Sequence, residues 1–169
     1  FITQDRETGV RNVGMYSGHF RGEGHLIAGI APIHHAILYH HREAVSRKEK
    51  LPVAIVLGAL PDVVYCSAAN LPYGVDELAV AGGIRGRPVD VVRCKTIPLD
   101  VPAEAEIIIE GEISFDRKER GEPFSDYPGY LMVEREFRSV IDVTAITTRR
   151  NPIFTSILVG LPPSESNGI

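Results

Sequence analysis

Apolar and polar positions alternate with a period of two at both ends of the chain and with a period near 3.6 in the middle, so strands are expected to flank a helical section. Phe1 to Asp5 and Val10 to Phe20 read as strands around Arg6-Glu7-Thr8-Gly9, where glycine supplies a turn's positive φ at low cost. His25 to Ile30 reads as a third strand, and the three are expected to form a meander. In the second strand Ser17, His19 and Arg21 would share a face with Val13 and Met15. The run Arg11 to Ser17 carries an amide, a glycine and a hydroxyl, which suits a site strand better than a core strand.

From His34 to about Lys50 the spacing of Ala36, Ile37, Ala44 and Val45 predicts a helix, with Pro32 just before its start. It carries His34, His35, His40 and His41, of which the later pair is expected on a solvated face, since no HExxH spacing accompanies it. Val53 to Leu57 is an uninterrupted apolar run between Pro52 and Gly58, the mark of a strand covered on both faces. Helices are predicted over Asp62 to Ala69, after Pro61, and over Asp76 to Ile84, ending at Gly82-Gly83 or near Gly86. Together with the histidine helix they make a helical layer.

Strands return at Val89 to Lys95, Ala105 to Ser114, Leu131 to Phe137 and Val140 to Thr148. In the second of these the odd positions are apolar or small, while Glu106, Glu110 and Glu112 are expected on a solvated outer face. Gly121 to Tyr130 is a loop too rich in aromatic and acidic groups to be a spacer.

Composition narrows the function classes. At 169 residues and 44% hydrophobic content the chain has the size of one domain with its own core. A net charge of −4, no basic block and 7% aromatics argue against a nucleic-acid binder. No apolar run is long enough to insert in a membrane. Cys66 and Cys94 form no CxxC and fit buried thiols in a reducing cytoplasm. The chain opens on strand-like residues without an initiator methionine and closes on Pro/Ser/Asn/Gly, so 161–169 is expected to be a linker or tail and further domains are expected on both sides.

Several segments taken together resemble one family, the UbiD-type decarboxylases that depend on prenylated FMN. They are Thr8-Gly9-x-x-Asn12-x-Gly14-x-Tyr16, His35 after Pro32, Val53 to Pro61, Asp76-Glu77-Leu78-Ala79 with Gly82-Gly83-Ile84-Arg85-Gly86, Val101-Pro102-Ala103 with Ala105 to Gly111, Pro123-Phe124 with Gly129-Tyr130, and Thr147-x-Arg149-x-Asn151-Pro152-Ile153. Each alone is weak; in this order across nearly the whole chain they are specific.

The resemblance implies an α+β, mainly β fold: a split β-barrel of FMN-binding type over 1–160 with a flanking helical layer, normally set between an N-terminal α/β domain and a C-terminal oligomerisation domain. It implies a divalent ion, usually Mn2+, held by Asn12, His35 and Glu77 and gripping the flavin phosphate, with K+ nearby. An amide oxygen, an imidazole and a carboxylate suit such an ion and leave vertices for phosphate and water. Val13, Gly14, His34, Ser67, Ala68 and Ala69 match positions that approach the cofactor. The implied activity is reversible decarboxylation of an unsaturated or aromatic acid, with the flavin as electron sink. The implied partners are a carboxylic acid or phenolic substrate, a flavin prenyltransferase that supplies the cofactor, and further subunits of the same or a related chain.

The match breaks at the proton-transfer residues. Where the family carries arginine after the tyrosine, this chain has Ser17, and the loop Gly121-Glu122-Pro123-Phe124-Ser125-Asp126 has glycine at the first acidic position. Serine cannot make a bidentate guanidinium contact and glycine holds no proton. Three readings follow. Glu122 reaches the site by a changed loop path, with Arg21 supplying charge from about 13 Å along the strand. Alternatively, Asp126 acts alone on a substrate that activates itself through a phenolic group. In the third, the chain is a catalytically silent subunit that binds flavin or stabilises an assembly.

Overall fold

The computed structural model describes residues 1–22, 24–29, 35–125, 131–132, 137–156 and 163. Its elements run β1 (Ile2–Gln4), β2 (Arg11–Val13), β3 (Gly18–Phe20), β4 (His25–Ala28), α1 (His35–Arg47), β5 (Leu51–Leu57), α2 (Pro61–Ser67), α3 (Glu77–Arg85), β6 (Val91–Arg93), β7 (Asp100–Pro102), β8 (Ile107–Arg120), β9 (Phe124–Ser125), β10 (Leu131–Met132) and β11 (Phe137–Thr148). Seven strands form one sheet in the order β2-β1-β5-β8-β11-β4-β3, antiparallel throughout.

This order dictates the shape. β2 and β3 are the two outer strands, yet only four residues, Gly14 to Ser17, separate them in sequence. In a flat sheet of seven strands they would lie roughly 29 Å apart, whereas five Cα steps reach at most about 18 Å. The sheet must therefore curl until its edges approach, which is the split barrel expected from the sequence. A contact across the split agrees: Phe1, next to β1, reaches β3, where a Cβ at Gly18 would stand 3.2 Å from its ring Cζ, and its ring meets that of Tyr16 edge to face at 5.6 Å. Gly14 and Phe1 extend the β1–β2 ladder with bonds of 2.8 and 2.9 Å, and Ser17 and Gly29 extend the β3–β4 ladder at 3.2 Å. Two register shifts between β8 and β11, at Ser139/Ile141 and Val143/Ala145, add the bending that such closure needs. Gly111 lies where β11 passes so closely that a Cβ would sit 2.6 Å from the Asp142 carbonyl oxygen.

β5 is covered on both faces, as its apolar run predicts. On one side Leu51, Val53 and Ile55 join Ile37 and Ala44 of α1 with Ile109, Ile113 and Ile141. On the other Ala54 joins Val63 and Cys66 of α2, Leu78 and Ala81 of α3, and Leu99 and Val101. α3 starts at Asp76, whose side chain accepts from Leu78 N, and stops at Gly86 in the left-handed region. Both cysteines are buried and free. Among the described residues no helix is long and apolar enough to cross a membrane.

Several expectations need correction. Val10 to Phe20 is two strands at opposite edges of the sheet, because the bridging segment leaves Phe1 for Gly29; the first three expected strands therefore form two separate hairpins rather than a meander. The common face proposed for Val13, Met15, Ser17, His19 and Arg21 is lost with that break. His40 is not solvated: it is 2% exposed, its Nδ1 bonded to Thr3 Oγ1 at 2.9 Å, because α1 turns this face onto the sheet. His41 is half-buried. Glu110 is 1% exposed rather than on a solvated face, since the 94–99 segment folds over it. Lys95 N, Thr96 N and Thr96 Oγ1 donate to its carboxylate at 2.6–2.8 Å. Of the strand expected over Leu131 to Phe137, β10 covers two residues and pairs with β9, Phe137 opens β11, and 133–136 lie outside the described residues. The tail at 161–169 lies outside them too, apart from residue 163.

Candidate functional site

A cavity of about 500 Å³ opens beside the split in the sheet. Asn12, Val13, Gly14 and Tyr16 form one wall, Ser67, Ala68 and Ala69 at the end of α2 another, and Glu77 at the first turn of α3 a third. Residues 65 places apart in sequence, Asn12 and Glu77, meet here because α2 and α3 pack on the sheet face next to β2. Met15 N donates to the Ser67 carbonyl at 3.3 Å, tying the bridging segment to α2. Val13 N donates to Glu77 Oε2 at 3.0 Å, tying β2 to α3.

Gly14 is required by a close approach. The Tyr16 ring lies over it, and a Cβ would stand 2.5 Å from Tyr16 Cζ. The Tyr16 hydroxyl donates to Asn12 Oδ1 at 3.3 Å, and burial raises the pKa of this phenol, with the nearby Glu77 charge adding to the effect. Burial likewise raises the Glu77 carboxyl, against the opposing effect of backbone donors that include Val13 N. Arg11, at the cavity edge, is 3.4 Å from Asp76.

These features bear on a cation. Asn12 is buried and its Nδ2 has no hydrogen-bond partner. An amide's oxygen and nitrogen exchange places by a flip, so the same side chain can donate Nδ2 to Tyr16 and turn Oδ1 toward Glu77's cavity. A carboxylate destabilised by burial beside an amide oxygen fits a hard divalent ion. Two of the three expected ligands are thus brought to one cavity. His35 opens α1, but its side chain lies outside the description, as do His34 and Asp126. Among the described residues no group of three histidine, cysteine or acidic side chains is assembled for a metal.

The remaining expected residues lie elsewhere. Glu122 is exposed and ion-paired with Arg21, which also donates to the Arg120 carbonyl at 2.8 Å; neither side chain lines the cavity. Ser17 is exposed, follows Tyr16 in the chain without lining the cavity, and accepts a 2.8 Å bond from Arg138 Nη1. Sequence reasoning missed Arg138, which is 4% exposed on β11. A charged residue just ahead of the apolar pair Val140-Ile141 was the available signal. Another cavity, of about 580 Å³, is lined by Asp5, His40, Glu43 and Arg47, none of them among the expected site residues.

Known proteins agree with this architecture. The family model described as "UbiD: 3-octaprenyl-4-hydroxybenzoate carboxy-lyase Rift-related domain" matches residues 1–162. An uncharacterised protein of Archaeoglobus fulgidus is 38% identical over 97% of this chain and 34% of its own length. A phenolic acid decarboxylase of Bacillus subtilis is 36% identical over 93% of this chain and 33% of its own. Among solved structures, an evolved dimeric form of the UbiD-class enzyme HmfF from Pelotomaculum thermopropionicum, in complex with prFMN, superposes with a TM-score of 0.88 at 34% identity, covering 98% of this chain and 37% of that one. The closed form of Sedimentibacter hydroxybenzoicus vanillic acid decarboxylase gives 0.90 at 28% identity, covering 97% and 35%. The chain thus spans about a third of the length of these relatives.

Proposed function

The chain belongs to the UbiD family, and from that premise we propose that it is the cofactor-holding domain of a reversible carboxy-lyase acting on an unsaturated or aromatic acid, with prenylated FMN as cofactor. The observation that carries this is the meeting of Asn12 and Glu77 with Ser67, Ala68 and Ala69 around one cavity. Asn12, His35 and Glu77 would hold Mn2+ or another divalent ion, which in turn binds the flavin phosphate, with K+ beside it. Val13, Gly14, His34 and the end of α2 would line the flavin. When bound, the flavin supplies an electron sink for the pair left behind as the carbon–carboxylate bond breaks.

The protein's own task is to hold the acid and return a proton to the carbon that loses CO2. Asp126 is the carboxyl group proposed for that transfer. Glu122, held by Arg21 outside the cavity lining, is the weaker candidate. Ser17 would contact the substrate end of the site. A phenolic substrate suits this reduced acid-base set, because its ring oxygen helps to stabilise charge at the reacting carbon. The decarboxylase of B. subtilis named for phenolic acids supports that class. Gly121 and Ser17, in place of an acid and an arginine, favour a second reading: a silent subunit that binds flavin beside an active one. Under either reading the protein works as an oligomer, in the cytoplasm, on cofactor supplied by a flavin prenyltransferase.

Exchange of labelled CO2 into a panel of phenolic acids, with full-length protein loaded with prenylated FMN and manganese, tests the proposal. Exchange supports the carboxy-lyase. Full cofactor occupancy without exchange supports the silent subunit, and no flavin uptake at all removes both.

A further inference from the structure

An asparagine serves a hard cation only through its oxygen, since the amide nitrogen carries two hydrogens and repels positive charge. Which end of the Asn12 amide faces the cavity therefore decides whether the site can take an ion. Asn12 is 4% exposed. With Oδ1 on the Tyr16 hydroxyl, Nδ2 is shut away from water and, among the described residues, has no hydrogen-bond partner. The bond that holds this orientation is long, 3.3 Å where hydroxyl donors usually stand about 2.7–2.8 Å from their acceptors. Turning the amide over relieves both faults. Nδ2 then donates to the Tyr16 oxygen, at a separation closer to the range of amide donors, which extends to about 3.2 Å, and Oδ1 takes the place that Nδ2 held.

Tyr16 can serve either orientation, because a phenol both donates and accepts. Its hydroxyl is held in place from three sides. The ring lies over Gly14, where a Cβ would stand 2.5 Å from Cζ. It meets the Phe1 ring at 5.6 Å with an interplanar angle of 79°. One residue back, Met15 N is bonded to the Ser67 carbonyl at 3.3 Å. The groups around the cavity are fixed as well: Asn12 pairs with Thr3 in the β1–β2 ladder, and Glu77 is fastened through Oε2 to Val13 N at 3.0 Å. What stays open is the rotation of the Asn12 amide, and the Tyr16 hydroxyl is the group that touches it. A ligand whose orientation is set by a rigidly held neighbour is what a preorganised ion site requires.

We propose that Tyr16 is a positioning residue of the cation site: its hydroxyl accepts from Asn12 Nδ2 when an ion is bound, and so holds Oδ1 toward the ion. Ion binding then turns the amide over and changes the phenol from donor to acceptor at Asn12, its own O–H turning away. Without the hydroxyl, the ligating orientation would strand a buried amide donor and oppose ion binding. This rests on the proposed metal and flavin reading and deepens it by adding a residue behind the ligand. It also joins Gly14 and Tyr16 into one unit, since the glycine admits the ring that carries the hydroxyl.

The test titrates manganese into full-length protein holding FMN, followed by calorimetry and by the electron paramagnetic resonance of free manganese. Tyr16→Phe keeps the ring on Gly14 and Phe1, so its metal-free Tm should stay near native, while its manganese affinity should fall by about tenfold or more. The carboxylate in Asn12→Asp has oxygen at both positions and no donor to satisfy. In that background Tyr16→Phe should leave manganese affinity unchanged, a coupling that a merely structural tyrosine would not show. An equal loss in both backgrounds, an unchanged affinity in Tyr16→Phe, or a Tyr16→Phe protein that does not fold would overturn the assignment. Native protein that takes up no manganese would remove the metal site and this inference with it. Uptake that is lost in Glu77→Ala and unchanged in Tyr16→Phe would keep the metal site and remove the inference. Tyr16-dependent uptake without CO2 exchange would leave the inference standing and remove the carboxy-lyase reading.

Discussion

Glu77 Oε2 accepts the Val13 amide proton at 3.0 Å, so a carboxylate at the start of α3 is fastened to the strand that carries Asn12. Burial raises the Glu77 pKa. An acid whose folded pKa lies above its unfolded value adds stability below the unfolded value and loses it as pH rises through the folded one. In the metal-free protein Glu77 therefore opposes folding at neutral pH, and a bound cation reverses the sign. Glu77→Gln keeps an acceptor for Val13 N and removes the charge. Its metal-free Tm at pH 7 should equal or exceed that of the native protein, while the rise in Tm on adding manganese should vanish. Calorimetry with and without manganese, between pH 5 and 8, checks both statements.

Gly14→Ala places a methyl against the Tyr16 ring, 2.5 Å from Cζ. The ring has to swing away from Asn12, at a cost of about 1–3 kcal/mol for overpacking. Denaturant unfolding should register that loss. Tyr16→Phe in the same background should not deepen it, since the hydroxyl bond to Asn12 would already be broken.

Glu110 is a buried acid of the opposite kind. Burial alone would raise its pKa, but bonds donated by Lys95 N and Thr96 outweigh this and hold it below the ordinary value. Its contribution is present above the unfolded pKa and lost as pH falls through the folded one. Glu110→Ala strands at least two backbone N–H groups and should cost about 2 kcal/mol or more at pH 7. The difference from native protein should narrow as pH falls into the acid range, measured by urea titration at each pH.

His40 is buried with its pKa lowered by that burial, against the attraction of Asp5. A histidine depressed in the folded state stabilises above its unfolded pKa, and this is lost as pH falls below about 6.5. His41, lowered for the same reason, adds to the slope. The native protein should lose stability as pH falls below about 6.5, and His40→Gln should flatten that part of the profile.

Much of the site was legible locally. Asp76 and Gly86 mark the ends of α3 because capping is decided within one turn, and that start puts Glu77 at the site. Asn12, Gly14 and Tyr16 were visible as an irregular strand, and the structure supplies a reason for the glycine in the ring that lies on it. Glu110 and His40 were misread because alternation tells which side of a strand or helix a residue occupies, and says nothing of what later segment covers that side. The 94–99 segment covers Glu110, and the sheet covers His40.

By itself the sequence determined the elements whose causes are short in range: the apolar run of β5, the ends of α3, the turn at Gly9 and the order of family motifs. Tertiary structure decided how the sheet closes, which side of each helix is buried, and that a serine near the start meets an arginine near the end. Those depend on strand order, on bulges between β8 and β11, and on a four-residue bridge too short to cross a flat sheet. No window of neighbouring residues contains both ends of such a constraint, and Arg138 reaches Ser17 because β11 pairs with β4 and β4 with β3, an adjacency that only the assembled sheet supplies.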